Sequence, residues 1–153
     1  MAYSVTLLVH SYLRWLVLAA GLAVIVRSLS GWLGSKPFTA SDNRAQVVFV
    51  SVMGLQLLIG LALYFVLSPV TAAFFADPKA SMKIAQIRFF AVEHTTLMLL
   101  ALIVVHVGRA RSKRNPDARG RHKTTAITAL VWLVLTLGAI PWPGMAAGRP
   151  LFR

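Results

Sequence analysis

The fold is decided by one stretch near the N-terminus, residues 5–26, which reads VTLLVHSYLRWLVLAAGLAVIV. An α-helix rises 1.5 Å per residue, so about 20 apolar residues cross a bilayer core of roughly 30 Å. The stretch reaches that length with Arg14 as its only charged side chain. No basic region precedes it, as one would precede a cleaved signal peptide, so we expect a retained membrane span.

Three more apolar runs follow, over residues 45–67, 89–107 and 126–140. The last is shorter and ends at Pro141-Trp142-Pro143, where tryptophan suits the membrane interface and the prolines stop a helix. The chain has 153 residues and only 13% charged side chains, against roughly a quarter in a soluble domain. A soluble bundle would also need wider polar stripes. The predicted fold is therefore an all-α, single-domain, up-down-up-down membrane bundle of four helices, with residues 68–83 as an irregular loop.

Orientation follows from Lys and Arg, which accumulate on the cytoplasmic side of membrane proteins. Ten lie between spans one and two or between spans three and four, and five lie on the other side. The first side should be cytoplasmic, so both termini should lie outside, in the periplasm of a Gram-negative bacterium. The protein would then reside in the bacterial inner membrane, and the basic cluster at residues 109–123 would contact anionic lipids.

The composition excludes several classes of function. The chain has no cysteine, which rules out disulfides, thiol catalysis and cysteine-ligated zinc or iron–sulfur clusters. Its four carboxylates, three of them in predicted loops, are too few for two-carboxylate chemistry or a carboxylate metal cage. No Walker, dinucleotide or nucleophile-elbow motif is present. The net charge of +12 does not indicate nucleic-acid binding, because no nucleic-acid fold or aromatic stacking platform accompanies it.

The polar side chains within the predicted spans provide the evidence about function. A charged side chain is costly inside a membrane and usually has a partner there. His10 and Arg14 share one face of the first helix because they are four residues apart. His94 lies as deep in the third helix as His10 lies in the first, about 8–9 Å below the external surface. These helices lie on a diagonal of such a bundle, so the two imidazoles are placed to ligate one haem iron.

Other side chains would complete this haem site. Arg14 and Arg88 would pair with the propionates, and Glu93 would set a histidine tautomer or balance an arginine. Gly21 and Ala101 are small enough to leave room beside a flat ligand. Candidates to line the haem or a quinone, with apolar packing as an equal alternative for each, are Gln56, Tyr64 and Trp15.

The same residues have a second interpretation. Arg14 and Glu93 would form a buried ion pair, and His10 and His94 would be hydrogen-bonded core residues that hold the helices in register. The spacing leaves both interpretations open. A weaker second haem site would use His106 and His122, although His122 is better read as solvated or in contact with lipid headgroups.

The chain resembles small bacterial four-helix membrane proteins described as cytochrome b-like. Some members of that family have a histidine two positions before the glutamine of helix two, where this chain has Gly54, so a ligand from helix two is absent. The resemblance implies b-type haem binding, with His10 and His94 as the ligands. The matching pieces are His10 with Arg14-Trp15, QLLIG at 56–60 with Tyr64, Ser68-Pro69, Arg88-Phe89, Glu93-His94, His122-Lys123 and Ile140-Pro141-Trp142-Pro143.

Two functions are consistent with these residues. The first is a membrane electron carrier with haem b between helices one and three, exchanging electrons with a quinone and an outer acceptor. It would act as a carrier rather than as a stand-alone enzyme, alone or within a respiratory or other membrane complex. The second is a haem-free accessory subunit that stabilises such a complex.

Overall fold

A computed structural model describes residues 1–152, which form helices and short connections and contain no strand. Four helical segments are long and apolar enough to cross a membrane, as the sequence predicts. Apolar side chains point away from the bundle on all four, for example Leu16, Leu58, Ile103 and Val134. The helices are α1 (Ala2–Leu33), α2 (Ala40–Ala62), α3 (Pro69–Ala76), α4 (Pro78–Ser81), α5 (Ala85–Arg88), α6 (His94–Arg114) and α7 (Ala118–Ala139).

Two of the long segments contain a π-helical turn, a wider helical turn that often occurs at functional sites. One turn, Leu63–Leu67, continues α2, and the other, Phe89–Glu93, leads directly into α6. The Tyr64 hydroxyl donates a hydrogen bond to the carbonyl of Ala91 at 2.9 Å and joins the two turns. The second π-helical turn ends at Glu93, immediately before His94, the first residue of α6.

The long helices do not pack equally on one another. α1 packs along α2 and α7, and α6 packs along α7, whereas α2 and α6 meet only sparsely. We call the end of the bundle that holds His10, His94 and Ala139 the terminal end. The end that holds Gly31 and His122 is the basic end.

The carboxylates are used mainly to start helices. Thr39 and Asp42 form a reciprocal capping box at the start of α2, and Asp42 also pairs with Arg27 of α1 at 2.8 Å. Asp117 caps α7 by accepting a hydrogen bond from the N–H of Gly120 at 2.6 Å, and Asp77 caps α4. Three of the four carboxylates are thus committed to helix ends, away from the bundle interior.

Small residues let α1 approach α7 closely. A Cβ on Gly21 would collide with the ring of Trp132, and a Cβ on Gly31 would collide with the ring of His122. Trp132 is 1% exposed and meets Phe49 edge to face at 4.6 Å. Close approach of backbones at small residues is the usual way in which helices associate in lipid, where packing replaces the hydrophobic effect.

Residues 68–83 are not the irregular loop predicted from the sequence. Ser68 and Asp77 each cap a short helix, and each is followed by a proline at the first helical position. A capping side chain followed by proline is a strong start signal, because proline needs no hydrogen-bond acceptor there and its φ angle is already helical. The helices also extend further into the basic end than the predicted spans, with α6 reaching Arg114 and α7 beginning at Ala118.

Candidate functional site: a cavity between two histidines

A cavity of about 190 Å³ lies between the helices at the terminal end of the bundle. Most of its wall is formed by leucine, isoleucine, valine, methionine, proline and aromatic residues. A small number of polar groups in an apolar wall is the usual composition of a site for a small molecule or cofactor. The polar side chains that could orient a ligand are His10, Arg14, Gln56, Tyr64, His94, Thr136 and Arg149.

The structure brings His10 of α1 and His94 of α6 together in this cavity. Their ring centroids are 6.4 Å apart, and the ring planes are inclined by 65°. Phe89 and Phe90, from the π-helical turn, each lie 6.1 Å from the ring of His94. The two imidazoles therefore meet within an aromatic and aliphatic surround rather than at a solvated surface.

His94 is held by the end of the neighbouring helix. Its Nδ1 lies 2.8 Å from the carbonyl oxygen of Ala139, the last residue of α7. A carbonyl can only accept, so Nδ1 carries the proton and donates it. Within residues 1–152, Nε2 of His94 forms no hydrogen bond. Because Nδ1 carries the proton, the lone pair of the neutral His94 ring that could bind a ligand is on Nε2.

His10 is held by α2. The side-chain amide of Gln56 donates to the His10 carbonyl at 3.0 Å and approaches the His10 Nε2 at 3.2 Å. Gly60, one turn further along α2, faces the ring of His10, and a Cβ there would lie 3.2 Å from its Cε1. Gln56 therefore sets the position of His10, and Gly60 provides the space for its ring.

Several buried polar atoms in the cavity wall have no hydrogen-bond partner within residues 1–152. They include Nδ1 of His10, Oε1 of Gln56 and Oγ1 of Thr136. A buried polar atom without a partner costs about 1–3 kcal/mol and is often explained by function. The three residues all line the cavity, where a ligand with polar groups could satisfy these atoms.

The three charged side chains predicted for the haem site separate into two groups. Arg14 lines the cavity and donates to the Leu151 carbonyl at 2.8 Å. Arg88 and Glu93 lie outside the cavity wall and pair with each other at 2.7 Å, with both side chains more than 40% exposed. The Arg14–Glu93 ion pair of the second interpretation is not formed, because Glu93 is held by Arg88. Arg149, one of the five basic residues that the sequence places on the outer side, also lies in the cavity wall.

The histidines of the weaker second site lie in different environments. His106 is on an exposed face of α6, where its Nδ1 approaches the Leu102 carbonyl at 3.0 Å. His122 is only 2% exposed and packs under Phe38 at 4.9 Å between ring centroids. The expectation that His122 is solvated or in contact with headgroups is wrong, because the ring fills the space beside Gly31. No ring contact joins His106 and His122 in the described chain.

The small residues predicted beside a flat ligand serve packing instead. Trp132 fills the space over Gly21, and Ala101 is fully buried in the apolar core. Of the three residues proposed to line a haem or quinone, Gln56 and Tyr64 lie in the cavity wall. Trp15 instead stacks on Phe152 at 5.4 Å.

The fold and cavity define a class: a helical protein with four helices long and apolar enough to cross a membrane and with two histidine rings that meet in a cavity. No protein-family model, curated protein or solved structure matches this chain. No cluster of three or more histidine, cysteine or carboxylate side chains suited to a bare metal ion occurs in residues 1–152. The resemblance to cytochrome b-like proteins stays a prediction.

Proposed function

We propose that this protein is a membrane-bound b-type cytochrome in which His10 of α1 and His94 of α6 would hold one haem. The observation that carries the proposal is the 6.4 Å separation of the two ring centroids across the cavity. Two imidazoles bonded to opposite sides of one metal ion at about 2 Å each have ring centroids roughly 6 Å apart. The separation therefore suits an ion held from both sides.

The surroundings of the histidines support this proposal. Histidines that ligate metals usually donate their other N–H to a carbonyl or carboxylate, and His94 donates to Ala139. Gln56 holds the second ring from α2. Phe89 and Phe90 exclude water from the side of α6, which favours a low dielectric around the site. When bound, haem supplies one-electron transfer, and these residues set its ligation and its access to water.

Contacts between the helices support the up-down-up-down arrangement proposed for the bundle. Residues near the start of α1 meet residues near the end of α2, as His10 meets Gln56. Residues near the end of α1 meet residues near the start of α7, as Gly31 meets His122. With the basic end in the cytoplasm, both termini and the cavity face outward in the bacterial inner membrane. The exposed basic side chains at 109–123 then lie at the depth of anionic lipid headgroups.

The sparse contact between α2 and α6 supports a quinone as the electron donor or acceptor in the bilayer. Leu57 and Leu61 of α2 and Leu99 of α6 line the cavity, and Leu99 is also 40% exposed on the outside of the bundle. An apolar path from lipid to the cavity suits a lipophilic redox partner. The outward-facing side of the haem would serve an acceptor outside the membrane, alone or within a larger complex.

The test is an absorption spectrum of the detergent-purified protein after growth with haem. We expect Soret and α bands of a reduced b-type haem, and we expect His10→Ala and His94→Ala each to abolish them. His106→Ala is the matched control, since it removes a histidine from the exposed face of α6 and should leave the bands unchanged. Full haem content in both cavity variants would end the proposal.

A haem-free accessory subunit remains the alternative, and one observation favours it. His10 and His94 already have hydrogen-bond partners in the protein, as core residues that hold helices in register would have. Under this alternative, the purified protein is colourless, and His94→Ala lowers its thermal stability without changing any spectrum.

A further inference from the structure

The last residues of the chain fold back over the terminal end of the bundle and form what we call the C-terminal strap, residues 141–152. The strap turns on itself through hydrogen bonds from Gly148 to Met145 at 2.8 Å and from Arg149 to Pro141 at 3.0 Å. It is tied to α1 at its end, where the Leu151 carbonyl accepts from Arg14 and Phe152 stacks on Trp15. These contacts place Arg149 and Pro150 in the cavity wall.

The guanidinium of Arg149 is only partly satisfied by the protein. It lies 5.3 Å over the ring of Phe90, and its Nε is buried without a hydrogen-bond acceptor. Within residues 1–152 it makes no ion pair: Asp42 and Glu93 pair with Arg27 and Arg88, and Asp77 and Asp117 cap helices. Arg149 is half-buried, and burial of a cation is costly to the extent that no anion or acceptor compensates it.

We propose that Arg149 and Arg14 form an anion subsite, which binds the carboxylate groups of an amphiphilic ligand whose apolar body occupies the cavity. Guanidinium groups match carboxylates in a bidentate geometry that a lysine cannot reproduce. The proposal rests on the proposed function if the carboxylates are those of haem. The same chemistry would bind the carboxylate of a fatty acid, so the ligand class is an apolar body with an anionic head.

Because the strap contributes one of the two cations, a ligand bound there also fastens the strap. The strap contributes Arg149 and Pro150 to the cavity wall and is anchored at Arg14 and Trp15. The carboxylates would therefore slow ligand release as well as strengthen binding.

The test compares haem release from the wild type, Arg149→Gln and Arg149→Lys, with Arg88→Gln as a control at the same end of the bundle. Loss of one charge-assisted hydrogen bond corresponds to about tenfold, so release of protohaem to an excess of a haem-scavenging apoprotein should be about tenfold faster from Arg149→Gln. Arg149→Lys should lie between, and Arg88→Gln should match the wild type. With protohaem dimethyl ester, whose carboxylates are blocked, all four proteins should release at one rate.

The outcomes separate this proposal from the proposed function. Equal release of protohaem from the wild type and Arg149→Gln, with an unchanged spectrum in each, overturns the anion subsite and leaves the cytochrome intact. If the protein holds no haem, the probe is a fluorescent fatty acid and its methyl ester. Binding of the acid that weakens about tenfold in Arg149→Gln supports the subsite with a lipid carboxylate as its source. Fatty-acid binding insensitive to Arg149, or no binding, overturns it.

Discussion

Nδ1 of His94 lies 2.8 Å from the carbonyl oxygen of Ala139, which is free to accept because of the proline four residues later. In a continuing α-helix that carbonyl would accept from the N–H of residue 143, but Pro143 has none. Pro141 affects the Leu137 carbonyl in the same way. The prolines that end α7 thereby leave the acceptor that orients a histidine on α6.

The double variant Pro141→Ala/Pro143→Ala tests this relationship. Extending α7 would give the Ala139 carbonyl a donor within its own helix, so His94 would lose its acceptor. We expect haem affinity to fall about 10–100-fold, the usual effect of removing the hydrogen bond behind a metal-ligating histidine. Haem titration measures this effect, and ¹⁵N NMR of the histidine side chains should show loss of the Nδ1–H tautomer.

Pro116→Ala is the control for the double variant, because Pro116 lies in the turn at the basic end, far along α6 from His94. It should preserve both the affinity and the tautomer. If helix content rises in the double variant while the His94 tautomer persists, the prolines do not control the acceptor, and another feature of α7 must position Ala139.

Two glycines of α2 offer a matched test of the space around His10. A Cβ on Gly60 would lie 3.2 Å from Cε1 of His10, whereas a Cβ on Gly54 would have no atom within 4 Å. Gly60→Ala should displace the ring and therefore lower haem content or shift the Soret maximum. Gly54→Ala should change neither quantity. Indistinguishable spectra and haem contents for the two variants would show that His10 tolerates the lost space.

The sequence was sufficient to predict the four membrane-length helices and the proximity of His10 to His94. Bilayer thickness fixes the length of each span, and the depth of a residue in a span follows from helix rise alone. His10 and His94 could therefore be predicted to lie at one level. The face shared by His10 and Arg14 follows in the same way from the helical period, and both side chains line the cavity.

The features of the site that the sequence did not predict depend on contacts between distant segments. Arg149 enters the cavity wall because prolines and glycines between residues 141 and 150 turn the chain back. The high proportion of these two residue types was the only indication of the turn in the sequence. Glu93 was taken as a partner within the bundle, yet the π-helical turn before α6 leaves it exposed beside Arg88. A single extra residue in a helical turn changes which face a side chain occupies, and helical periodicity does not reveal it.

A buried polar network at the basic end gives a prediction that does not depend on any ligand. Gln46 of α2 donates to the hydroxyl of Thr125 on α7 at 2.6 Å, and Thr125 lies 3.1 Å from the hydroxyl of Ser112 on α6. Thr125→Val removes the shared group and leaves the buried Gln46 amide without this partner. We expect a loss of about 1–3 kcal/mol of unfolding free energy, measured by denaturation in detergent.

The control for this network is Thr124→Val. Its side chain is half-buried on the same turn of α7 and forms no side-chain hydrogen bond within residues 1–152. Its effect should stay within about 0.5 kcal/mol, the range of ordinary surface substitutions. If Thr125→Val and Thr124→Val lowered the unfolding free energy equally, the hydrogen bonds of the network would add nothing beyond the effect of replacing a threonine by valine in α7.

The proposed orientation can be tested directly because the native chain has no cysteine to interfere with labelling. Ser35→Cys reports on the basic end and Ala76→Cys on the terminal end, and both positions are exposed. Positive side chains remain preferentially in the cytoplasm, so a membrane-impermeant maleimide should label Ala76→Cys in intact spheroplasts and Ser35→Cys only after lysis. The native chain, treated in parallel, gives the background. Labelling of Ser35→Cys before lysis, with Ala76→Cys protected, would invert the bundle and place the histidine cavity near the cytoplasmic surface.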